Sequence, residues 1–156
     1  MNETASPFEN AALPGLLRRL AAMLYDTVLV LALVVVAFTL VYLPVAMGFG
    51  LENLQEHPLF RTFMTLWMLF VGVGFHIWFW THGGQTLGMR AWRLRLFSED
   101  GRPVSLKQAL TRYGVAILSW LALGLGFLWI LFDPQKRAWH DIASHTRMLL
   151  VDPNVS

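Results

Sequence analysis

The chain has 156 residues, of which 56% are hydrophobic and only 14% charged, with a formal net charge of +2 and no cysteine. Soluble domains carry about 25% charged residues, so this composition belongs to a one-domain membrane protein whose main partner is the lipid bilayer. The near-balanced charge argues against nucleic acid as a partner, and without cysteine no disulfide framework, iron–sulfur cluster or thiolate zinc site can form.

Residues 1–17 form a polar arm with Pro7, Pro14 and Gly15. Disorder is expected there, with a turn at Pro14–Gly15 and none of the features of a signal peptide. The membrane domain is expected over residues 18–151, followed by a short tail over 152–156. Its first apolar run covers residues 20–43, long enough to cross a bilayer as a helix. One charge interrupts it, Asp26. A carboxylate at mid-bilayer costs about 2.5–3.5 kcal/mol on insertion scales, so it generally has a partner and a role. Arg19 stands seven residues earlier, at the edge of the run. That spacing is almost two helical turns, which puts both on one face about 10 Å apart along the axis, too far for a direct ion pair. Two readings of Asp26 stand side by side: an ion or proton site, and a buried carboxylate that stabilises helix packing. Arg19 is read as an inter-helix contact, because Arg18 already supplies a basic anchor and small Ala22 on the same face favours close packing.

A short loop with Glu52, Glu56, His57 and Arg61 leads to the second span, residues 62–80. Aromatics crowd its end, as at a membrane–water interface, and Gly72 and Gly74 allow close helix approach. His76 reads as a hydrogen-bonded interfacial histidine; the alternative is a titrating one. The next segment is basic, with Arg90, Arg93, Arg95, Arg102, Lys107 and Arg112. By the positive-inside rule this loop and the N-terminus are cytoplasmic, as expected of a multi-pass membrane protein. Within the loop, residues 92–97 alternate with period two, Asp100–Gly101 supplies a turn, and Ser105 with Gln108 has the spacing of a capping box, so a helix starts near Leu106.

The third apolar run, residues 114–132, carries no charge. Lys136, Arg137 and Arg147 follow it and also prefer the inside, which conflicts with a full crossing. The expectation is therefore a broken or re-entrant segment bent at Gly124–Gly126, with the tail inside. The fold class is an all-α polytopic membrane protein with about three hydrophobic helical segments and a basic cytoplasmic loop.

Chemistry-bearing motifs are few. His140, Asp141 and His145 are a weak metal signal, because no further histidines stand at ligand spacing. Asp141 reads instead as a cap of the next short segment or as the partner of an arginine. Ser119 has no linked His/Asp pair, and Gly83–Gly84 lacks the lysine and spacing of a phosphate loop. No enzyme, metal or cofactor is expected.

Three stretches, RRLAAMLYD at 18–26, GGQTLGMRAWRLRLFSEDG at 83–101 and LFDPQKRAWHDIASHT at 131–146, together resemble the RDD family of small bacterial membrane proteins. The resemblance runs from about residue 14 to 151. It implies a functional charge cluster of Arg19, Asp26 and Asp141, near the cytoplasmic face, and it matches Gly84, Thr86 and Gly88 to the family's G-x-T-x-G stretch. Arg112 and His140 are possible supporting residues. Two departures stand out. Met89 occupies a position where many members have lysine, and His145 precedes Thr146 where the family usually has glycine. A position that accepts histidine is expected not to need a positive φ.

The family's biochemical role is largely unassigned, with sodium–proton exchange proposed for some members. The reading that follows is a protein that assists transport or sensing of a small ion or solute, such as cation/proton exchange, as a homo-oligomer or with a membrane partner. The alternative is a non-transporting accessory or scaffold protein of a membrane complex, docked through the basic loop.

Overall fold

The structure, a computed structural model, describes residues 12–50 and 57–151. It is mostly helical. Helix α1 (Leu16–Phe49) and helix α2 (Pro58–Thr81) are each long and apolar enough to cross a membrane. Helix α3 (Leu87–Ala91), strand β1 (Leu94–Ser98), helix α4 (Leu106–Leu121), helix α5 (Leu125–Leu128), a 3₁₀ turn (Trp129–Leu131), helix α6 (Trp139–Ala143) and strand β2 (Thr146–Leu150) follow. The arm expected over 1–17 ends sooner, because α1 begins at Leu16, Pro14 is buried and the Ala12 carbonyl accepts a hydrogen bond from the Leu150 N–H at 3.0 Å. The rest of the arm, Glu52, Glu56 and the tail lie outside the described residues.

Two compact units divide the chain. One, residues 27–76, is an antiparallel pair formed by most of α1 and α2. Its contacts run in opposite directions along the two helices. Val30 lies 3.7 Å from the position a Cβ on Gly72 would take, the Trp67 indole donates to the Ala37 carbonyl at 3.2 Å, and the Tyr42 and Phe60 rings sit 6.0 Å apart. His76 hydrogen-bonds the Gly72 carbonyl at 3.1 Å through Nδ1. Most side chains of this pair point outward and are apolar, as lipid requires.

The other unit combines the start of α1, the end of α2 and everything from α3 onward. Its core is Ala22, Met89, Leu94, Leu96, Val104 and Ala109, with Ile77, Trp80, Met148 and Leu150 packed against it. The period-two stretch becomes β1, which pairs antiparallel with β2 from Leu94↔Leu150 to Ser98↔Thr146. This small sheet is an addition to the all-helical expectation. Leu94 and Leu96 turn into the core while Arg95 stays exposed. At the head of α4, the Ser105 hydroxyl accepts the Gln108 N–H and the Gln108 side chain accepts the Ser105 N–H, so the expected capping box is formed.

The third apolar run does not continue straight. Helix α4 and the Leu125–Leu131 segment meet at 108°. The bend begins earlier than expected, at Leu123 (φ 55°) and Gly124 (φ 81°), where the Gly124 N–H caps the Ser119 carbonyl at 2.8 Å. Gly126 has a different part. A Cβ there would fall 2.0 Å from the Ser119 hydroxyl, so glycine lets α5 fold back against α4.

Candidate functional site

Three elements converge on Asp141. It is the third residue of α6, and its Oδ2 accepts the Ala138 N–H at 2.9 Å, which caps the helix start. Arg19 reaches it from α1, with Nη1 donating to Oδ2 at 2.5 Å and Nη2 donating to the Lys136 carbonyl at 2.8 Å. Arg112 reaches it from α4, donating through Nη1 to Oδ1 and, at 2.9 Å, to the Thr146 hydroxyl on β2. Asp141 is 0% exposed and Arg112 2%. Burial pushes the Asp141 carboxyl up, but Arg112 and then Arg19 more than offset it and hold the group well below the usual carboxylate range. The Arg112 guanidinium also lies 5.4 Å from the centre of the Trp80 ring.

His140 lines the same site. Its Nε2 is 3.6 Å from Asp141 Oδ1, and its ring lies 5.0 Å from Phe127. Burial and the charge of Arg112 push its pKa down to about 3, so the ring is neutral at physiological pH. The Ser144 hydroxyl donates to the His140 carbonyl at 2.5 Å and meets the Thr146 hydroxyl at 2.7 Å, which completes a buried polar chain behind the ion pairs.

Asp26 is held separately. Thr86 donates its hydroxyl to Oδ2 at 2.5 Å, and Gly88 donates its backbone N–H to Oδ1 at 2.8 Å. Thr86 is also the N-cap of α3, accepting the Met89 N–H at 3.2 Å, so one hydroxyl starts the helix and grips the carboxylate. Gly88 is required for this approach. A Cβ there would sit 2.3 Å from the Ala22 carbonyl and 2.8 Å from the Asp26 carboxyl carbon. Gly84 sets up the turn before it, at φ 70°, with its carbonyl accepting the Leu96 N–H at 2.7 Å and no room for a Cβ against the Leu96 carbonyl. The G-x-T-x-G stretch is therefore a clamp on Asp26.

The expected three-residue cluster thus resolves into two sites. Arg19, Asp141, Arg112 and His140 come together. Asp26 makes no ion pair within 4.0 Å among the described residues, because Arg19 turns its guanidinium to Asp141 instead. Met89 is buried in the core, where its side chain packs and its N–H bonds Thr86. His145 corrects a second expectation, since it adopts φ 51° despite its Cβ. The turn keeps its left-handed residue, and the His145 carbonyl uses that geometry to accept the Glu99 N–H at 3.0 Å. The sequence carried no signal for Thr146 as an Arg112 partner or for the Lys136 carbonyl as an Arg19 partner, since both depend on where the tail returns. Among the described residues no three His, Cys, Asp or Glu side chains group as a metal site.

Asp141→Asn is expected to destabilise the protein by about 3–5 kcal/mol, because it strands two buried guanidinium groups without a counter-charge; thermal unfolding in detergent measures it. His140 sets a pH dependence. Its folded pKa of about 3 lies below the ordinary 6.5, so its stability contribution is complete above pH 6.5 and is lost as the pH falls toward 3. Stability is expected to drop by about 2 kcal/mol between pH 7 and pH 5, and His140→Phe is expected to flatten that stretch of the curve.

Comparison with known proteins places the chain. The model of the RDD family matches residues 13–145. The uncharacterized protein YxaI of Bacillus subtilis (strain 168) is 38% identical over 64 residues, which are 41% of this chain. The matched stretch spans 42% of that relative's length. No solved structure matches. The family match covers Arg19, Asp26, the Gly84–Gly88 clamp, Arg112 and Asp141, and with its apolar helices the chain is a membrane protein that belongs to the RDD family.

Proposed function

We propose that the protein assists the movement or sensing of a small cation or proton across the bacterial inner membrane, as an oligomer, with Asp26 as the exchanging group. The observation that carries this reading is the contrast between the two buried aspartates. Asp141 is neutralised by two arginines, whereas Asp26, 5% exposed within an apolar helix, is met by one hydroxyl and one backbone N–H. A carboxylate inside an apolar span that has no arginine or lysine partner is the arrangement that marks ion pathways in membrane proteins. Two or three apolar segments do not enclose a path alone, so further copies or a membrane partner complete it.

The same reading includes a topology. Strands β1 and β2 pair directly, and Asp141 binds the starts of α1 and α4, so these parts share one side of the membrane. Their arginines make that side cytoplasmic. The stretch Gly114–Leu121 advances only about 12 Å, less than half of the ~30 Å hydrocarbon core, before the bend turns the chain back. The third apolar segment is then a re-entrant hairpin in the cytoplasmic leaflet.

The chain has no cysteine, so single cysteines report topology cleanly. Lys107→Cys and Gln135→Cys are expected to react with an impermeant thiol reagent from the cytoplasmic side only, and Leu123→Cys at the bend from neither side. Periplasmic labelling of Gln135→Cys would mean that the segment crosses. For the activity, the purified protein in liposomes is expected to exchange Na⁺ or K⁺ for H⁺, measured with an internal pH dye. Asp26→Asn is expected to abolish the exchange, with Asp26→Glu retaining part of it. Absence of exchange, together with unchanged cell salt tolerance in Asp26→Asn, would leave the accessory role as the better account.

A further inference from the structure

We propose that the outer face of the Leu87–Arg93 segment binds the phosphate of an anionic phospholipid headgroup. The inner face of this segment is committed, since Gly88 grips Asp26 and Met89 lies in the core. Leu87, Arg90, Trp92 and Arg93 are left facing outward, with Leu87 41% and Trp92 42% exposed. Depth follows from the contact with α1. A Cβ on Gly88 would lie 2.3 Å from the Ala22 carbonyl, and Ala22 is only three residues, about 5 Å along the axis, from Arg19 at the polar edge of the apolar run, so the segment stands near where the hydrocarbon meets the headgroups.

The chemistry of the face fits that level. The Arg90 and Arg93 side chains make no hydrogen bond or ion pair among the described residues. By contrast, Arg102 pairs with Asp100, Arg137 with Asp133, and Arg147 lies 3.8 Å from Glu99. Two unengaged guanidinium groups offer the forked donors that phosphate oxygens accept. Trp92 between them is amphipathic and suits the interface, and Leu87 offers an apolar contact to an acyl chain.

The backbone adds a separate observation. Arg93 adopts φ 57°, where glycine sits without penalty and a residue with a Cβ is strained. The fold would be served better by glycine at this position, so the arginine side chain is what the position supplies. A soluble phosphate or an acidic protein would need the cations but not the exposed Leu87 and Trp92, and those two favour a lipid.

The test is native mass spectrometry of the purified full chain in mild detergent, with phosphatidylglycerol or phosphatidylcholine added. Phosphatidylglycerol is expected to be retained preferentially. Retention is expected to fall about fivefold for each arginine removed, in Arg90→Gln and in Arg93→Gly. Arg93→Gly separates binding from folding, because it relieves the backbone: its melting temperature is expected to hold or rise while lipid retention falls. The control Arg102→Gln/Lys107→Gln is expected to retain lipid as the parent does. Equal retention of the two lipids, parent-like retention in Arg93→Gly, or an equal fall in the control would overturn the proposal. Displacement of the lipid by millimolar inorganic phosphate would assign the face to free phosphate, and capture of an acidic protein in place of lipid would assign it to a partner; either result also overturns it. None of these outcomes depends on whether Asp26 exchanges a cation.

Discussion

Everything in the larger unit depends on burying one carboxylate between two arginines. Asp141 comes from a five-residue helix, too short to be stable by itself. Its position is fixed by Arg19, 122 residues away in sequence, and by Arg112, 29 residues away. Removing such charges from water costs several kcal/mol each, and the attraction between them compensates only when the remaining donors and acceptors are satisfied. Here most are. Asp141 also takes the Ala138 N–H, Arg19 takes the Lys136 carbonyl, and Arg112 takes Thr146. Such a site contributes less through net energy than through uniqueness. Any other register of α1, α4 or α6 would leave a buried charge alone, at a penalty comparable to the whole stability of a domain.

The second carboxylate follows a different rule. Asp26 is gripped by a clamp made of absences: no side chain at Gly88, so the backbone can reach α1, and none at Gly84, so the turn can pass under the Leu96 carbonyl. Thr86 supplies the one side-chain donor. Two aspartates in one small unit thus have opposite surroundings, one among guanidinium groups and one among neutral donors. That difference separates the two: Asp141 is paired by arginines that tie α1, α4 and α6 together, and Asp26 is held by neutral donors.

Legibility in the sequence followed the range of the forces. Local signals read well. The apolar runs became α1 and α2, the alternation after Trp92 became β1, and Ser105 with Gln108 became a capping box. Arg19, Asp26 and Asp141 stood out as charges in apolar or motif-bearing stretches. Asp141 was also expected to cap a short segment or to pair with an arginine, and it does both; which arginines was not legible, because the seven-residue spacing places Arg19 and Asp26 on one face without saying which way the guanidinium turns. It turns to Asp141, and Arg112 joins from α4. The left-handed residues were the least legible. Leu123, Lys136 and His145 all take positive φ with a Cβ present, so a reading that expects glycine at such turns misplaces them. Tertiary contacts select these conformations, as when the Lys136 carbonyl is turned toward Arg19.

The ion pairs also account for the shape of the third apolar segment, independently of its hydropathy. Arg112 stands just before the apolar run and Asp141 just after it, and the two side chains touch. The chain between residues 113 and 138 must therefore leave and return to one point. A helix that crossed the hydrocarbon and came back would need about 40 residues. The segment is far shorter than that, and it folds back at Leu123, Gly124 and Gly126. Had Arg112 stood beyond the bend, the same apolar sequence could have crossed. One arginine at the mouth of the hairpin, rather than the composition of the hairpin itself, decides that it returns.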